Sequence, residues 1–319
     1  MCIRDSALPR VVVLLVLLAT AGTLPLPLFA LVLGLTGWPA LARLVRGETL
    51  RLRHAPYVEA ARALGAEPWR VALREILPGA IPPLLVAATL GTVALQWTLD
   101  VLRLPKAAAG TFVVGATMAN FTCLAAARHA LLKRAGWDVD NEGLFGAPPL
   151  TVYVGAEVHS TVRRVLGLLG LGRTRTSDLP VDSQGRIRVD DLPKISGPAI
   201  VCIQAGNVNT GAFDPAPEIC AWAKETGAWV HVDGAFGLWA RACPTRARQA
   251  EGYEKADSWA TDAHKWLNVP YDCGIAMVRD EESLRAAMAM SAAYLPPSGP
   301  RDPMHYSPDG SRRARAVDV

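Results

Sequence analysis

The sequence predicts an α/β fold with a mostly parallel sheet, preceded by an all-α membrane segment, and three observations support this prediction. From about residue 96 onward, short apolar runs alternate with amphipathic helical patterns. Polar residues follow the ends of several of these runs. Before residue 96, two longer apolar stretches flank a basic loop. Alternating strands and helices favour a parallel sheet, whereas long uncharged apolar stretches favour membrane spans.

Composition and charge narrow the classes of function. The 319 residues are enough for two domains, and 51% of them are hydrophobic, which is high for a purely soluble protein. The net charge of +4 comes entirely from residues 1–95, and residues 96–319 are electrically balanced. Because no basic stripe crosses this larger part, nucleic-acid binding is not predicted. The six cysteines show no metal-ligand spacing, so we expect free thiols in a reducing compartment and no metal site.

The N-terminal region contains two candidate membrane spans. Residues 11–35 carry no charge and are numerous enough to cross a bilayer, although Pro25 and Pro27 would kink a helix. Residues 80–95 form a shorter apolar run, and the arginine-rich loop between the two runs is typical of a cytoplasmic loop. A secretory signal peptide and a buried soluble helix are the alternatives. Continuation of the apolar run past Pro27 argues against the first, and its length argues against the second.

The loop between these runs carries a recognisable pattern. Residues 57–86 read YVEAARALGAEPWRVALREILPGAIPPLLV and resemble the signature loop of binding-protein-dependent ABC transporter permeases. The positions that match are Glu59, Ala60, Ala61, Gly65, Ile76, Leu77 and Pro78. Residues 37–53 are similar to the dipeptide/oligopeptide branch of those permeases. The resemblance covers about residues 7–94 and leaves residues 1–6 as an unassigned leader.

This resemblance implies a structure, a partner and a location for the N-terminal part. We expect residues 7–95 to be an all-α permease fragment in the inner or plasma membrane. Its coupling loop, 57–78, would form a short helical hairpin that docks on a cytoplasmic ABC ATPase subunit. A whole permease of this type has further spans before residue 7, so the chain would hold only its C-terminal part.

Strand and helix patterns follow one another through the larger part of the chain. The predicted strands are 151–157, 199–205, 228–235, 258–262 and 274–280. The predicted helices are 116–135, 158–171, 215–226 and 281–292. Ligands of open parallel sheets bind at the carboxyl ends of the strands, so the polar residues that follow these strands are candidates for a site.

Lys265 and Asp233 are the first two of these candidates. Lys265 lies in the stretch TDAHKWLNVP, where a lysine is either at the surface or chemically active. A deprotonated lysine amine can form a Schiff base with an aldehyde. Asp233 ends the apolar run WVHVD, where its carboxylate either caps a turn with Gly234 or holds a pyridinium nitrogen protonated. Together the two residues favour pyridoxal chemistry.

Two further positions suit the same cofactor. Gly115, Ala116 and Thr117 precede a strong helix-forming run, and a helix N-terminus with a threonine hydroxyl suits a phosphate group. An ordinary helix cap has the same appearance. His159 follows one predicted strand and opens a helix, where its imidazole could lie flat on a cofactor ring or serve only as part of the first turn.

In order and spacing these residues resemble the group II pyridoxal-phosphate-dependent amino acid decarboxylases. His159 matches the histidine that stacks on the ring, Asp233 the carboxylate at the pyridine nitrogen, and Lys265 the Schiff-base lysine. The phosphate-binding turn, the ring face and the residues before the lysine are matched by Ala116, Thr117, Ala235, Asp262 and His264. Asn209 and Thr210 lie in the stretch AGNVNTGAFD, which matches a small-residue loop under the cofactor.

The resemblance spans about residues 96–319 and implies both fold and activity. The fold is the large domain of type I pyridoxal-phosphate-dependent transferases, and the cofactor is pyridoxal 5'-phosphate. The activity is decarboxylation of an amino acid to an amine by a cytoplasmic homodimer. An aminotransferase or aldolase-type enzyme would share Lys265 and Asp233, and transport by a permease subunit is the alternative from another class.

The two resemblances together predict a composite chain. We expect a permease tail joined near residue 95 to a decarboxylase core whose small C-terminal domain is largely absent. A misassembled or chimeric reading frame explains this composition, with a natural fusion as the alternative. The activity of a core without its remaining parts is expected to be impaired.

Overall fold

The computed structural model describes residues 55–63, 65–76, 91–289, 303–309, 315–317 and 319. The chain divides into two compact units, Met1–Thr89 with Ser291–Pro300 and Leu90–Met290 with Arg301–Val319. The predicted span 11–35 and most of the apolar run 80–95 lie outside the described residues. Among the helices of these described ranges, none combines the length and the apolar composition that a membrane crossing requires.

The described part of the first unit is a pair of short helices. Helix α1 covers Pro56–Ala63, and helix α2, Pro68–Arg70, continues as one π-helical stretch over Val71–Ile76. The chain turns between them, where the Ala66 N–H donates to the Ala61 carbonyl over 3.0 Å. The small apolar contact of Val58 with Val71 holds the pair together. The described residues of the predicted coupling loop 57–78 therefore form two helices joined by a turn.

The second unit is built on a seven-stranded sheet. Its strands in chain order are β1 Ala109–Val113, β2 Thr151–Gly155, β3 Thr176–Leu179, β4 Ala199–Gln204, β5 Trp229–Asp233, β6 Ser258–Asp262 and β7 Gly274–Val278. The order across the sheet is β1-β7-β6-β5-β4-β2-β3. Strands β3, β2, β4, β5 and β6 run parallel, and β7 is antiparallel to both β6 and β1.

The sheet is therefore mixed, and most of its strands are parallel. The antiparallel pairing of β6 with β7 follows from the short connection between them. Only residues 263–273 connect β6 to β7. Parallel neighbours need a long crossover, whereas antiparallel neighbours accept a short connection. Strands β1 and β3 have no counterpart among the predicted strands. Strand β3 reads TSDL and is mostly exposed at the sheet edge, so it lacks the apolar run that marks a buried strand.

Helices cover both faces of this sheet. In chain order they are α3 at residues 91–101, α4 Ala116–Arg134, α5 Val139–Glu142, α6 Ser160–Leu168, α7 Ala216–Thr226, α8 Ala263–Trp266 and α9 Glu281–Met288. Helix α3 crosses the boundary predicted at residue 95. Its Leu95 and Leu99 are buried in the same apolar cluster as Val201 and Val232 of the sheet.

Helix α4 is the central helix of the opposite face. It is buried along most of its length, and small side chains such as Ala119, Cys123 and Ala127 let it approach the sheet closely. The alternating residues of the strands supply the partners, for example Ala260 of β6 and Ala276 of β7. Close packing of this kind fixes the start of α4 against the carboxyl ends of the strands.

The buried side chain of Asp214 fixes the end of the loop that follows β4 by accepting two backbone hydrogen bonds. Asp214 accepts the backbone N–H of Ile187 at 2.8 Å and that of Gln204 at 2.7 Å. Burial raises the pKa of the Asp214 carboxyl to about 6. The Tyr253 hydroxyl lies 3.0 Å from the Asp214 carbonyl. These contacts hold the loop 205–213 in place at the carboxyl end of β4.

Candidate active site

A cavity of about 1260 Å³ lies at the carboxyl ends of the strands in the second unit. Strand ends and the loops after them contribute Gly115, Gln204, Asp233 and Asp262 to its wall. The position agrees with the general rule that ligands of open α/β sheets bind at the carboxyl ends of the strands. Most predicted site residues line this cavity: Ala116, Thr117, His159, Asp233, Ala235, Asp262, His264 and Lys265.

The turn before α4 depends on two glycines. Gly115 has φ +125°, which side chains rarely adopt, and an added Cβ would meet the His264 ring at 3.3 Å. A Cβ on Gly274 would lie 2.4 Å from the Gly115 carbonyl carbon, so the turn rests directly on the start of β7. This contact places the first turn of α4, with Ala116 and Thr117, at the cavity wall. The first N–H groups of a helix have no intrahelical partner and favour anions.

Lys265 is held by the acidic residue three positions before it. Its Nζ lies 2.9 Å from Asp262 Oδ2, and its side chain is partly exposed in the open cavity. The other oxygen, Asp262 Oδ1, accepts the Ala116 N–H at 2.5 Å. Asp262 therefore links the lysine to the start of α4. As a carboxylate it would repel a phosphate group, so its contacts fit a lysine partner better than a phosphate ligand.

His264 is fixed from two sides. Its Nδ1 lies 2.8 Å from the Cys273 carbonyl, and its ring stacks on Tyr271 with centroids 4.1 Å apart. Its Nε2 lies 3.6 Å from Asp262 Oδ1. Because β7 begins directly after Cys273, these contacts tie the lysine segment to the antiparallel part of the sheet.

Asp233 is a buried carboxyl at the end of β5. Its Oδ1 accepts the Ala235 N–H at 3.2 Å, and its Oδ2 accepts the Asn120 side-chain N–H at 3.3 Å. Burial raises the pKa of the Asp233 carboxyl, while the Ala235 N–H and the charges of His159 and Lys265 act in the opposite direction. Among the described residues no ion pair neutralises it, so a cation bound in the cavity would stabilise its ionised form.

His159 caps α6 from the other side of the cavity. Its Nδ1 accepts the Thr161 N–H over 3.3 Å and lies 2.7 Å from the Thr161 hydroxyl. His159 and Asp233 both line the cavity. Ala235, the residue expected at the ring face, also lines this part of the cavity.

Asn209 is the predicted site residue that does not line the cavity. Its backbone N–H donates to Asn207 Oδ1 at 2.8 Å, and its side chain is exposed. Asn207 occupies the wall instead and donates from its side chain to Glu157 at 3.2 Å. Thr210 is exposed as well, with its hydroxyl donated to the Gln184 carbonyl. A turn that folds around Asn207 thus reverses which asparagine faces inward.

Sequence reasoning missed Asn120, the residue whose side chain contacts Asp233. It lies on α4 four residues after Ala116, which places both on the same side of the helix. That spacing was the available signal. Aromatic residues at the cavity mouth were also missed: Phe236 and Trp266 lie with ring centroids 5.7 Å apart and are exposed.

The mixed sheet, with a lysine and a buried carboxyl on one cavity, defines an α/β protein suited to a pyridoxal-type cofactor. The chain belongs to the pyridoxal-dependent decarboxylase family, because the model of the pyridoxal-dependent decarboxylase conserved domain matches residues 80–319. A second model, that of the binding-protein-dependent transport system inner membrane component, matches residues 6–102. At the level of these two families, both predicted resemblances are confirmed.

Similar proteins agree with this family. Aromatic-L-amino-acid decarboxylase of Bacillus atrophaeus is 31% identical over 238 residues, which cover 70% of this chain and 47% of the relative. Aspartate 1-decarboxylase of Aliivibrio fischeri is 31% identical over 224 residues, covering 65% and 41%. The chain spans less than half the length of these curated relatives. A crystal structure of Oryza sativa TDC with PLP and tryptamine superposes with a TM-score of 0.65 and 26% identity, covering 75% of this chain and 52% of that one.

The residues of the cavity fit pyridoxal phosphate, the cofactor of this family. A buried carboxyl without an ion-pair partner among the described residues suits the protonated ring nitrogen. The glycine turn and the start of α4 suit the phosphate, and Lys265 offers an amine within the same cavity. The donor set therefore contains an appropriate partner for each end of the cofactor and for its aldehyde carbon.

Proposed function

We propose that the decarboxylase-like part of this chain converts an amino acid to an amine and carbon dioxide as a group II member of its family. The observation that carries this proposal is the placement of Lys265 and Asp233 on one cavity. An aminotransferase or aldolase-type enzyme would use the same pair of residues. The names of the relatives favour decarboxylation, since both curated relatives cited above are decarboxylases.

The positions of the residues on the cavity support a specific role for each of them. Bound pyridoxal phosphate supplies an electron sink for the electron pair left when the carboxylate departs as carbon dioxide. Asp233 would hold the ring nitrogen protonated, and its burial would strengthen this pairing because the dielectric is low. Lys265 Nζ would anchor the cofactor and would deliver a proton to the reacting carbon. His159 would lie against the ring, and the first turn of α4, with Ala116 and Thr117, would hold the phosphate.

The exposed cavity mouth supports a homodimer as the active form. Phe236, Trp266 and Tyr271 at this mouth are 55%, 58% and 80% exposed. Large apolar side chains grouped in this way are typical of a surface that another protein covers. A second copy of the chain over this surface would also exclude water from the site, which strengthens the interactions of Asp233 and Lys265.

For the N-terminal part we propose a permease fragment of the dipeptide/oligopeptide type. The helix pair within 57–78 supports a coupling loop that contacts an ABC ATPase subunit. The uncharged run 11–35 beside an arginine-rich loop favours a place in the inner or plasma membrane, with the decarboxylase part on the cytoplasmic side.

We further propose that the two matched segments derive from separate proteins joined in one reading frame near residue 95. The match to a second, unrelated family over residues 6–102 supports this composite origin. Sequencing of genomic DNA across codons 90–100 is the decisive measurement. Independent reads that continue without a break through the joint would establish a natural fusion instead.

Product analysis tests the proposed reaction. The purified chain, loaded with pyridoxal phosphate, is incubated with a panel of L-amino acids that includes aromatic and acidic members. We expect carbon dioxide and the corresponding amine in equal amounts from at least one substrate. A keto acid formed without carbon dioxide would identify an aminotransferase, and an aldehyde with glycine would identify an aldolase. Cofactor binding without any of these products would contradict the proposed activity.

A further inference from the structure

A continuous chain of buried polar side chains runs beneath Asp233. Asn120 donates to Asp233 Oδ2 at 3.3 Å, and the Asn120 Oδ1 lies 2.9 Å from His231 Nε2. His231 Nδ1 lies 2.9 Å from the Ser258 hydroxyl, which accepts the Trp229 indole N–H at 2.9 Å. All five residues are buried, so water does not compete for these contacts. The chain joins α4, β5 and β6 behind the cavity wall.

The chemistry of its two ends sets the direction of this chain. An indole N–H can only donate, so Ser258 accepts from Trp229 and is free to donate its own hydrogen to His231 Nδ1. His231 then carries its hydrogen on Nε2 and donates to the Asn120 oxygen. The Asn120 amide hydrogen consequently points to Asp233. Every donor in the series is directed toward the carboxylate.

The reverse direction is less favourable for a specific reason. If His231 carried its hydrogen on Nδ1, the Ser258 oxygen would accept from both Trp229 and His231. The Ser258 hydroxyl hydrogen would then have no acceptor among the contacts of the described residues. Asn120 would also have to donate its amide hydrogen to His231 Nε2 and turn its oxygen toward Asp233. Two facing oxygens are tolerated only when the Asp233 carboxyl is protonated. Both consequences are costly for buried groups.

His231 suits this role because it stays uncharged. Burial lowers the pKa of His231 to about 3, so the imidazole is neutral at physiological pH. A neutral imidazole has one donor and one acceptor nitrogen and therefore transmits the direction of hydrogen bonding from Ser258 to Asn120.

We propose that Asn120, oriented through Trp229, Ser258 and His231, is the positioning residue that keeps the Asp233 carboxylate ionised and aimed at the cofactor nitrogen. Its donated hydrogen occupies one lone pair of Oδ2, as the Ala235 N–H does on Oδ1, and leaves the remaining lone pairs for the ring. The proposal rests on the proposed function for the identity of the cofactor. The direction of the hydrogen bonds from Trp229 to Asp233 is a property of the cofactor-free protein.

The first test is a measurement on the full chain without cofactor. Nitrogen-15 NMR of the histidine-labelled protein, with His231 assigned by comparison with His231→Gln, reports which ring nitrogen carries the hydrogen. We expect the Nε2–H form, with no protonation of His231 down to about pH 4. Finding the Nδ1–H form would overturn the proposal whether or not the chain binds pyridoxal phosphate.

The second test measures cofactor affinity and its dependence on pH. Asn120→Leu keeps the branched shape of the side chain and removes the donor, and we expect the dissociation constant for pyridoxal phosphate to rise by about 10-fold or more. The pH at which the visible band of the bound cofactor changes should shift as well. Thr122→Val is the matched control, because it removes a buried hydroxyl of α4 that bonds only the Met118 carbonyl in the described contacts.

The outcomes separate two kinds of failure. If wild type, Asn120→Leu and Thr122→Val bind pyridoxal phosphate equally strongly and with the same pH dependence, the positioning role of Asn120 is refuted, and the proposed function is not. A wild-type chain that does not bind pyridoxal phosphate at all would refute the proposed function. Far-UV circular dichroism, together with an unfolding temperature close to that of Thr122→Val, verifies that Asn120→Leu is folded.

Discussion

Lys265→Ala is expected to abolish covalent attachment of pyridoxal phosphate to the chain. In the wild-type protein, borohydride should reduce the C=N bond at Lys265 to a stable C–N bond, and mass spectrometry of the peptides should find the added cofactor there. Alanine offers no amine to the aldehyde carbon, so no added mass should appear on the peptide. Amine formation should also fall by about 10²–10⁴-fold, the contribution that a positioned proton-transfer group makes.

The control for this variant is another lysine outside the cavity. Lys224 lies on α7 and is exposed, so Lys224→Ala should leave attachment and rate unchanged. Lys265→Arg provides a second comparison, because it keeps the positive charge beside Asp262 but cannot form the covalent bond. Cofactor recovered on a peptide other than that of Lys265 would show that this lysine has been assigned the wrong role.

Asp233→Asn is expected to leave the fold intact and to remove most of the activity. The substitution is isosteric, but a neutral amide no longer stabilises a proton on the ring nitrogen. Breaking a buried charge pair costs about 3–5 kcal/mol, which corresponds to a loss in rate of about 10²–10⁴-fold. The measurements are the rate of carbon dioxide release at saturating substrate and the dissociation constant of pyridoxal phosphate.

Its control is an exposed aspartate of the same unit. Asp190→Asn changes net charge by the same amount on the surface, and we expect wild-type rates from it. An Asp233→Asn protein that retains the wild-type rate would exclude the carboxylate as the partner of the ring nitrogen. If Asp233→Asn no longer binds the cofactor but keeps the unfolding temperature of the wild type, the main role of Asp233 is cofactor binding rather than catalysis.

The elements of the larger unit follow from local sequence wherever an apolar run or an amphipathic period is strong. Helix α4 was expected at 116–135 and is found at Ala116–Arg134, and β6 was expected and found at 258–262. Strand β3 was not expected, because its exposed edge position removes the apolar signal. Signals of this kind are local, so they fail where burial depends on neighbours that lie far away in the chain.

The candidate site shows the same division. Lys265, Asp233 and His159 were predicted from strand ends and residue chemistry, and the structure brings them to one cavity. Asn209 was predicted beside them but lies in a turn closed by Asn207, whose Oδ1 accepts two backbone N–H groups. Which of two nearby asparagines faces inward depends on that turn, and residue order alone does not specify it.

By itself, the sequence predicted the two family resemblances, the α/β character of the larger part and the residues proposed to carry the chemistry. Only the tertiary structure decided that β7 runs antiparallel, that Asp262 pairs with Lys265, and that Asn120 reaches Asp233 from α4. The physical reason is the sequence distance over which each feature is specified. Strand patterns and reactive side chains are specified within a few neighbouring residues. Hydrogen bonds between residues separated by 113 or 146 positions exist only once the sheet and α4 have packed together.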